Sequence, residues 1–131
     1  MSANPNFAAT PKQAVQPIST ANTNRDGTTG TYVLLVSGGA NGSRIERLRV
    51  TAAGNTTAGV IRWFLSTDGG VTRRLLRETL VPAITATTAL AVFMAEEVFP
   101  GGLQLMSASH QIHVTTHNGE AFNVFAEGGD Y

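Results

Sequence analysis

Residues 58–81 read AGVIRWFLS, then TDGGV, then TRRLLRETLV. The first run places Val60, Ile61, Trp63, Phe64 and Leu65 around a single Arg62. It is apolar on both sides of an extended chain, which predicts a strand that is central in a sheet or covered by another subunit. Its β-branched and aromatic residues favour strand over helix. The third run answers it after a Gly-Gly turn, so the pair predicts an antiparallel hairpin.

The same pattern of short apolar runs between turn residues extends in both directions. Further strands are expected at 32–37, 43–53, 72–81, 89–99, 103–106, 111–116 and 120–127, about eight with 58–66. In 43–53, Leu48 and Val50 share one face and Arg47, Arg49 and Thr51 the other. Ile45 is out of phase with Leu48, which predicts a bulge near Glu46. Pro100-Gly101-Gly102 is expected to stop the strand before it, and Asn118-Gly119 suits a tight hairpin between the last two strands. Residues 83–92 have a helical composition in part, but Thr85, Thr87 and Thr88 favour loop or strand. Strands at this spacing without an amphipathic helix predict an all-β fold, an antiparallel jelly-roll-like β-sandwich over 31–131.

Residues 1–30 differ in kind. They hold Pro5, Pro11 and Pro17 and only scattered apolar positions, Phe7, Val15 and Ile18. Proline lacks an N–H and biases its predecessor to extended backbone, so an extended N-terminal arm is expected. Phe7 and Ile18 are candidate anchors that order on a partner; the alternative is a plain unstructured terminus.

A chain of 131 residues, 42% hydrophobic, has enough core for one domain without a metal or staple. It has no cysteine, which removes disulfides, thiolate metal sites and thiol nucleophiles. Neither a secretory signal nor a run long enough to span a bilayer is present, so no membrane partner is expected. Zero formal net charge argues against nucleic-acid binding by phosphate neutralisation. Seven of the nine basic residues lie between 44 and 77 against only Glu46 and Asp68, leaving that stretch net positive by five. After Arg77 there is no Lys or Arg, while six carboxylates follow. Two readings stay open: cross-strand ion pairs within one sandwich, or complementary faces on neighbouring copies.

Candidate chemistry is sparse. Ser66-Thr67-Asp68-Gly69-Gly70-Val71-Thr72 fits the Ser-x-Asp-x-Gly-x-Thr pattern of an Asp-box hairpin, with Arg73 where the usual Trp would stand. In that motif the carboxylate accepts turn N–H bonds, a folding role and not a catalytic one. On an extended segment His113 and His117 share a face and His110 lies opposite, so one chain does not converge the three on a metal. Adjacent Glu96 and Glu97 point to opposite faces, which is wrong for paired-carboxylate hydrolysis. Trp63, Tyr32 and Tyr131 would make a sugar-stacking platform only if exposed together, and Trp63 sits in the most apolar run, where core is expected. No cofactor, metal site or enzymatic activity is expected.

Three segments, ANTNRDGT at 21–28, GSRI at 42–45 and THNGEAFNV at 116–124 with AEGGD at 126–130, resemble a family of small proteins encoded among the virion genes of tailed bacteriophages. The likeness covers roughly residues 20 to 130. It implies a protein of the virion, made in the host cytoplasm: a capsid decoration, or cement, protein that binds the major capsid protein or other virion proteins, as a homo-oligomer with a trimer favoured. Asn22, Asn24, Arg25 and Asp26, at the junction of arm and body, are the first candidate assembly contact, against an ordinary Asx-rich turn. His117, Asn118 and Glu120 are the second, against a simple hairpin turn. The alternatives are a neck, tail or fibre-attachment component and, from another class, a carbohydrate-binding module.

Overall fold

The computed structural model describes residues 10–131, which hold eight strands. They are β1 (Thr10–Ile18), β2 (Val33–Ser37), β3 (Ser43–Ala52), β4 (Gly59–Ser66), β5 (Arg74–Val81), β6 (Met94–Leu105), β7 (Gln111–Thr116) and β8 (Phe122–Asp130). They form two antiparallel four-stranded sheets, ordered β1-β8-β3-β6 and β2-β7-β4-β5. The first strand pairs with the last, the second with the seventh, the third with the sixth and the fourth with the fifth. The chain is thus one long antiparallel double strand folded at the β4–β5 turn and rolled up, closed by β3–β8 and β4–β7 pairing. This is a jelly-roll sandwich, the fold class that the strand spacing predicts.

The core lies between the sheets, where Ile45, Leu48 and Val50 of β3 and Val124 of β8 meet Ile61 and Trp63 of β4 and Ile112 and Val114 of β7. Trp63 is fully buried, and its indole N–H donates to Thr79 Oγ1 at 2.9 Å. That hydroxyl donates onward to Glu97 Oε2 at 2.8 Å, so the polar end of the ring is satisfied at the seam between β5 and β6. Arg77 stands at the same seam, 3.2 Å from Glu97, donating to the Val98 carbonyl at 3.0 Å.

Eight strands were expected, but two of them differ in origin. Residues 10–18, assigned from sequence to the arm, are extended as expected and pair along β8 of the same chain over nine positions. Pro11 and Pro17 are tolerated because β1 is an edge strand. Pro100-Gly101-Gly102 does not stop the strand before it: 94–105 is continuous, because four residues bow out opposite Glu46, with Ile45 paired to Leu103 and Arg47 to Val98. Gly101 and Gly102 take φ of 81° and 84°, which only glycine adopts freely. Glu46 is also the extra residue against β8, between the Ile45–Gly128 and Arg47–Glu127 pairs, so the expected bulge is present.

A third difference concerns Asn118-Gly119. β7 and β8 lie in different sheets, so residues 117–121 cross between sheets and close no hairpin. The Asn-Gly signal is local, whereas the partner of a jelly-roll strand is chosen by the roll.

Both faces of β4 are covered, as its sequence predicts, and the cover on the outer face is the chain itself. The β1–β2 connection, residues 19–32, lies over Arg62 and Phe64, and Tyr32 meets Phe64 edge-on with ring centroids 5.0 Å apart. No equivalent strap lies on the outer face of the other sheet among the described residues.

Candidate functional site

The strap is built from short polar side chains that replace missing backbone partners. Asn22 is buried; its N–H donates to the Thr116 carbonyl at 2.8 Å, and its Oδ1 accepts from the N–H and the side-chain amide of Asn24 at 3.0 and 3.1 Å. Asp26 forms the next turn, accepting the N–H groups of Thr28 and Thr29, both at 3.0 Å, and the Thr29 hydroxyl at 2.6 Å. The Thr29 hydroxyl first, then the two turn N–H groups, hold the Asp26 carboxyl well below the usual carboxylate range. Gly27, at φ 78°, packs against the Arg73 backbone, and Arg73 Nη1 donates to the Gly27 carbonyl at 3.1 Å.

Beneath the strap lies a buried cation. Arg62, 2% exposed, donates Nε–H to Glu78 Oε2 at 2.8 Å and Nη1–H to the Asn22 carbonyl at 3.2 Å. Both Nη atoms stand 3.3 Å from His117 Nδ1. A guanidinium only donates, so Nδ1 accepts and the neutral ring carries its proton on Nε2. Arg25 reaches the same Glu78 oxygen at 2.6 Å from the solvent side. Arg25 foremost, with Arg62 behind it, pulls the Glu78 carboxyl down.

The structure therefore brings Asn22, Arg25 and His117 together around Arg62 and Glu78, two residues that sequence reasoning did not place in the site. The signal was present, since a lone arginine in the most apolar run of the chain requires a carboxylate and a cover. Asn24 and Asp26 shape the strap. Asn118 and Glu120 form a neighbouring group on Thr57, whose hydroxyl stands 2.9 Å from Asn118 Nδ2 and 2.9 Å from Glu120 Oε2. Ile18 is buried in the chain's own core. Phe7 lies outside the described residues.

At the opposite end of the roll Lys12 Nζ donates to the Ser37 carbonyl at 2.7 Å and to Asp130 Oδ1 at 2.9 Å. Ser43 donates its hydroxyl to the same carboxylate and accepts the Gly39 N–H at 2.8 Å. Ser43 foremost, then Lys12, hold the Asp130 carboxyl below its usual range.

The opposed charge blocks pair largely within the chain. Because β3 lies between β8 and β6, Arg47 and Arg49 sit 3.0 and 2.9 Å from Glu127, and Arg47 lies 4.0 Å from Glu96. This network and the Arg49 guanidinium over the Phe125 ring occupy the open outer face of the β1-β8-β3-β6 sheet, with Val15, Met94 and Val98 exposed among them.

The Asp-box reading holds in geometry: Asp68 Oδ1 accepts the Ser66 hydroxyl and the Thr72 N–H, both at 2.9 Å, and Ser66 Oγ accepts the Gly70 N–H at 2.8 Å. Among the described residues no cluster of His, Asp or Glu could hold a metal ion; His113 meets Gln111 while His117 meets Arg62. Two surface hollows, one beside Arg74 and Leu75 and one beside Arg49 and Met94, measure about 230 and 250 Å³. Both fall below the roughly 300–1,000 Å³ of ordinary small-molecule sites. Among the described residues no helix is long and apolar enough to cross a membrane. Comparison with protein families, with curated proteins and with solved structures finds no match for this chain.

Proposed function

We propose that the protein is a non-enzymatic structural component of a tailed-phage virion, a capsid decoration protein that binds the major capsid protein shell as a homo-oligomer. The virion assignment comes from the resemblance of residues 21–28, 42–45 and 116–130. The observation that carries a binding role over a catalytic one is the commitment of the charged groups. Each of the nine carboxylates has an ion-pair or hydrogen-bond partner within the chain. The four whose acidity is shifted, Asp26, Asp68, Glu78 and Asp130, are all pushed down, away from the range of a general acid. What is left open among the described residues is a broad sheet face of interleaved apolar and charged side chains, which suits contact with another protein surface.

The carbohydrate-binding alternative needs an aromatic platform, and Trp63 is fully buried while Tyr32 lies between Phe64 and Arg73. The test is light scattering of the purified protein together with co-sedimentation on capsids of its phage. An oligomer that pellets with capsids at high stoichiometry is the expected result. A monomer that stays in the supernatant would move the assignment to a neck, tail or fibre-attachment component.

A further inference from the structure

The first strand is attached to the roll in an unusual way. Of its nine side chains Ile18 is the buried one, and Lys12 and Ala14 are partly covered. It is held mainly by its backbone ladder with β8 and by the Lys12 pin on Asp130 and the Ser37 carbonyl. β8 is paired to β3 along its other edge, so the seat for β1 is formed independently of β1. Immediately after β1 the chain is fastened again, by the Ala21–Thr116 bridge and the Asn22 N–H on the Thr116 carbonyl. Only Ser19 and Thr20, both exposed, lie between the two attachments. A short hinge between separately fastened elements lets the same strand of a second copy take the seat through the same ladder and the same lysine pin.

We propose that β1 is an exchangeable strand: in the assembled protein, Thr10–Ile18 of one copy lies on β8 of another in the register seen here. The occupant is a second copy because the seat reads this strand at both ends, with a carboxylate for the chain's only lysine and an apolar slot for Ile18. Pro11 and Pro17 stand on one side of β1, and a strand paired along β8 turns that side to its free edge. Two missing donors there disfavour the addition of a further strand to that edge of the sheet. The inference rests on the β1 seat and not on the virion reading, and its test uses the protein alone.

The chain has no cysteine, so Val15→Cys and Phe125→Cys, register partners across β1 and β8, make a clean reporter. The double variant, treated with a short bis-maleimide, establishes that the pair cross-links. The two single variants are then refolded together at high concentration, separated by size, cross-linked and run on a denaturing gel. The expected result is a covalent heterodimer in the oligomeric fraction that a Val15→Cys and Thr85→Cys mixture does not give. It should fall several-fold when a few Gly and Ser residues lengthen the hinge after Ser19. Cross-linking of the double variant within single chains, with no heterodimer above the Thr85 control in any fraction, would overturn the proposal.

Discussion

Arg62 shows how much one side chain can commit a fold. It is almost fully buried on the outer face of its sheet, and its charge is matched by Glu78 and its remaining donors by the Asn22 carbonyl and His117. Removing one partner of such a pair leaves the other uncompensated, which costs about 3–5 kcal/mol when both are buried. Glu78 reaches solvent, so Arg62→Ala is expected to cost about 2–3 kcal/mol in urea unfolding, below the range for a pair buried on both sides. Arg25→Ala, on the solvent side of the same carboxylate, should cost under about 1 kcal/mol. Equal losses for the two would contradict the buried-cation account. Asp130 makes a pH prediction of definite sign. Its folded carboxyl titrates below its ordinary value near 3.8, so its contribution is complete above that value and disappears as pH falls through the lower, folded one. The thermal midpoint should therefore drop as pH falls into the acid range below about 3.8, and drop less in Asp130→Asn, whose side chain keeps an acceptor for Lys12 and Ser43 but has no charge to lose.

Two strands illustrate what the elements require of their residues. Gly128 faces the β3 bulge, and a Cβ there would collide with the Arg44 carbonyl and the Ile45 backbone, neither of which can move without breaking the ladder. Gly54, in the turn after β3, has open space around it and an ordinary φ. Gly128→Ala is expected to destabilise by about 3 kcal/mol or more and Gly54→Ala to be neutral or stabilising by about 0.5 kcal/mol, as read by denaturant midpoints. What was legible in the sequence follows the same division. The β3–β4–β5 region could be read because its evidence is local: alternation around Leu48 and Val50, a doubly apolar β4, and an Asp68 turn that closes the β4–β5 hairpin. β1 could not be read as a sheet strand because its partner is β8, at the other end of the chain. The crossing at Asn118-Gly119 was misread for the converse reason, since a turn signal says nothing about which sheet the next strand joins. Asn22 and Arg25 were visible in one polar group and His117 in another, whereas their meeting, and the part of Arg62 and Glu78 in it, follow only from the strap laid over β4.

Among the described residues the molecule has two unlike faces, one sealed by its own strap and one open. If the open face meets the capsid, Met94→Asp with Val98→Asp should abolish co-sedimentation while leaving the thermal midpoint within a few degrees, because both side chains are exposed. Binding unchanged by the pair would move the contact to another surface. Truncation through residue 28 is a poor test of an arm, since it removes β1 and most of the strap together. It is expected to give an aggregating or unfolded product by light scattering and circular dichroism, with β8 left as a bare nine-residue edge. The pairing of first strand with last also has a meaning in time. During synthesis β1 precedes Asp130, the register partner of Thr10, by 120 residues, an interval of about 6–24 s at ribosomal speeds of roughly 5–20 residues per second. For that interval β1 has no partner in its own chain, on a polysome crowded with identical unpaired strands. Its two prolines and its lysine are the residues that keep a lone strand from pairing indiscriminately, so the composition of β1 suits it to waiting as well as to its final place in the sheet.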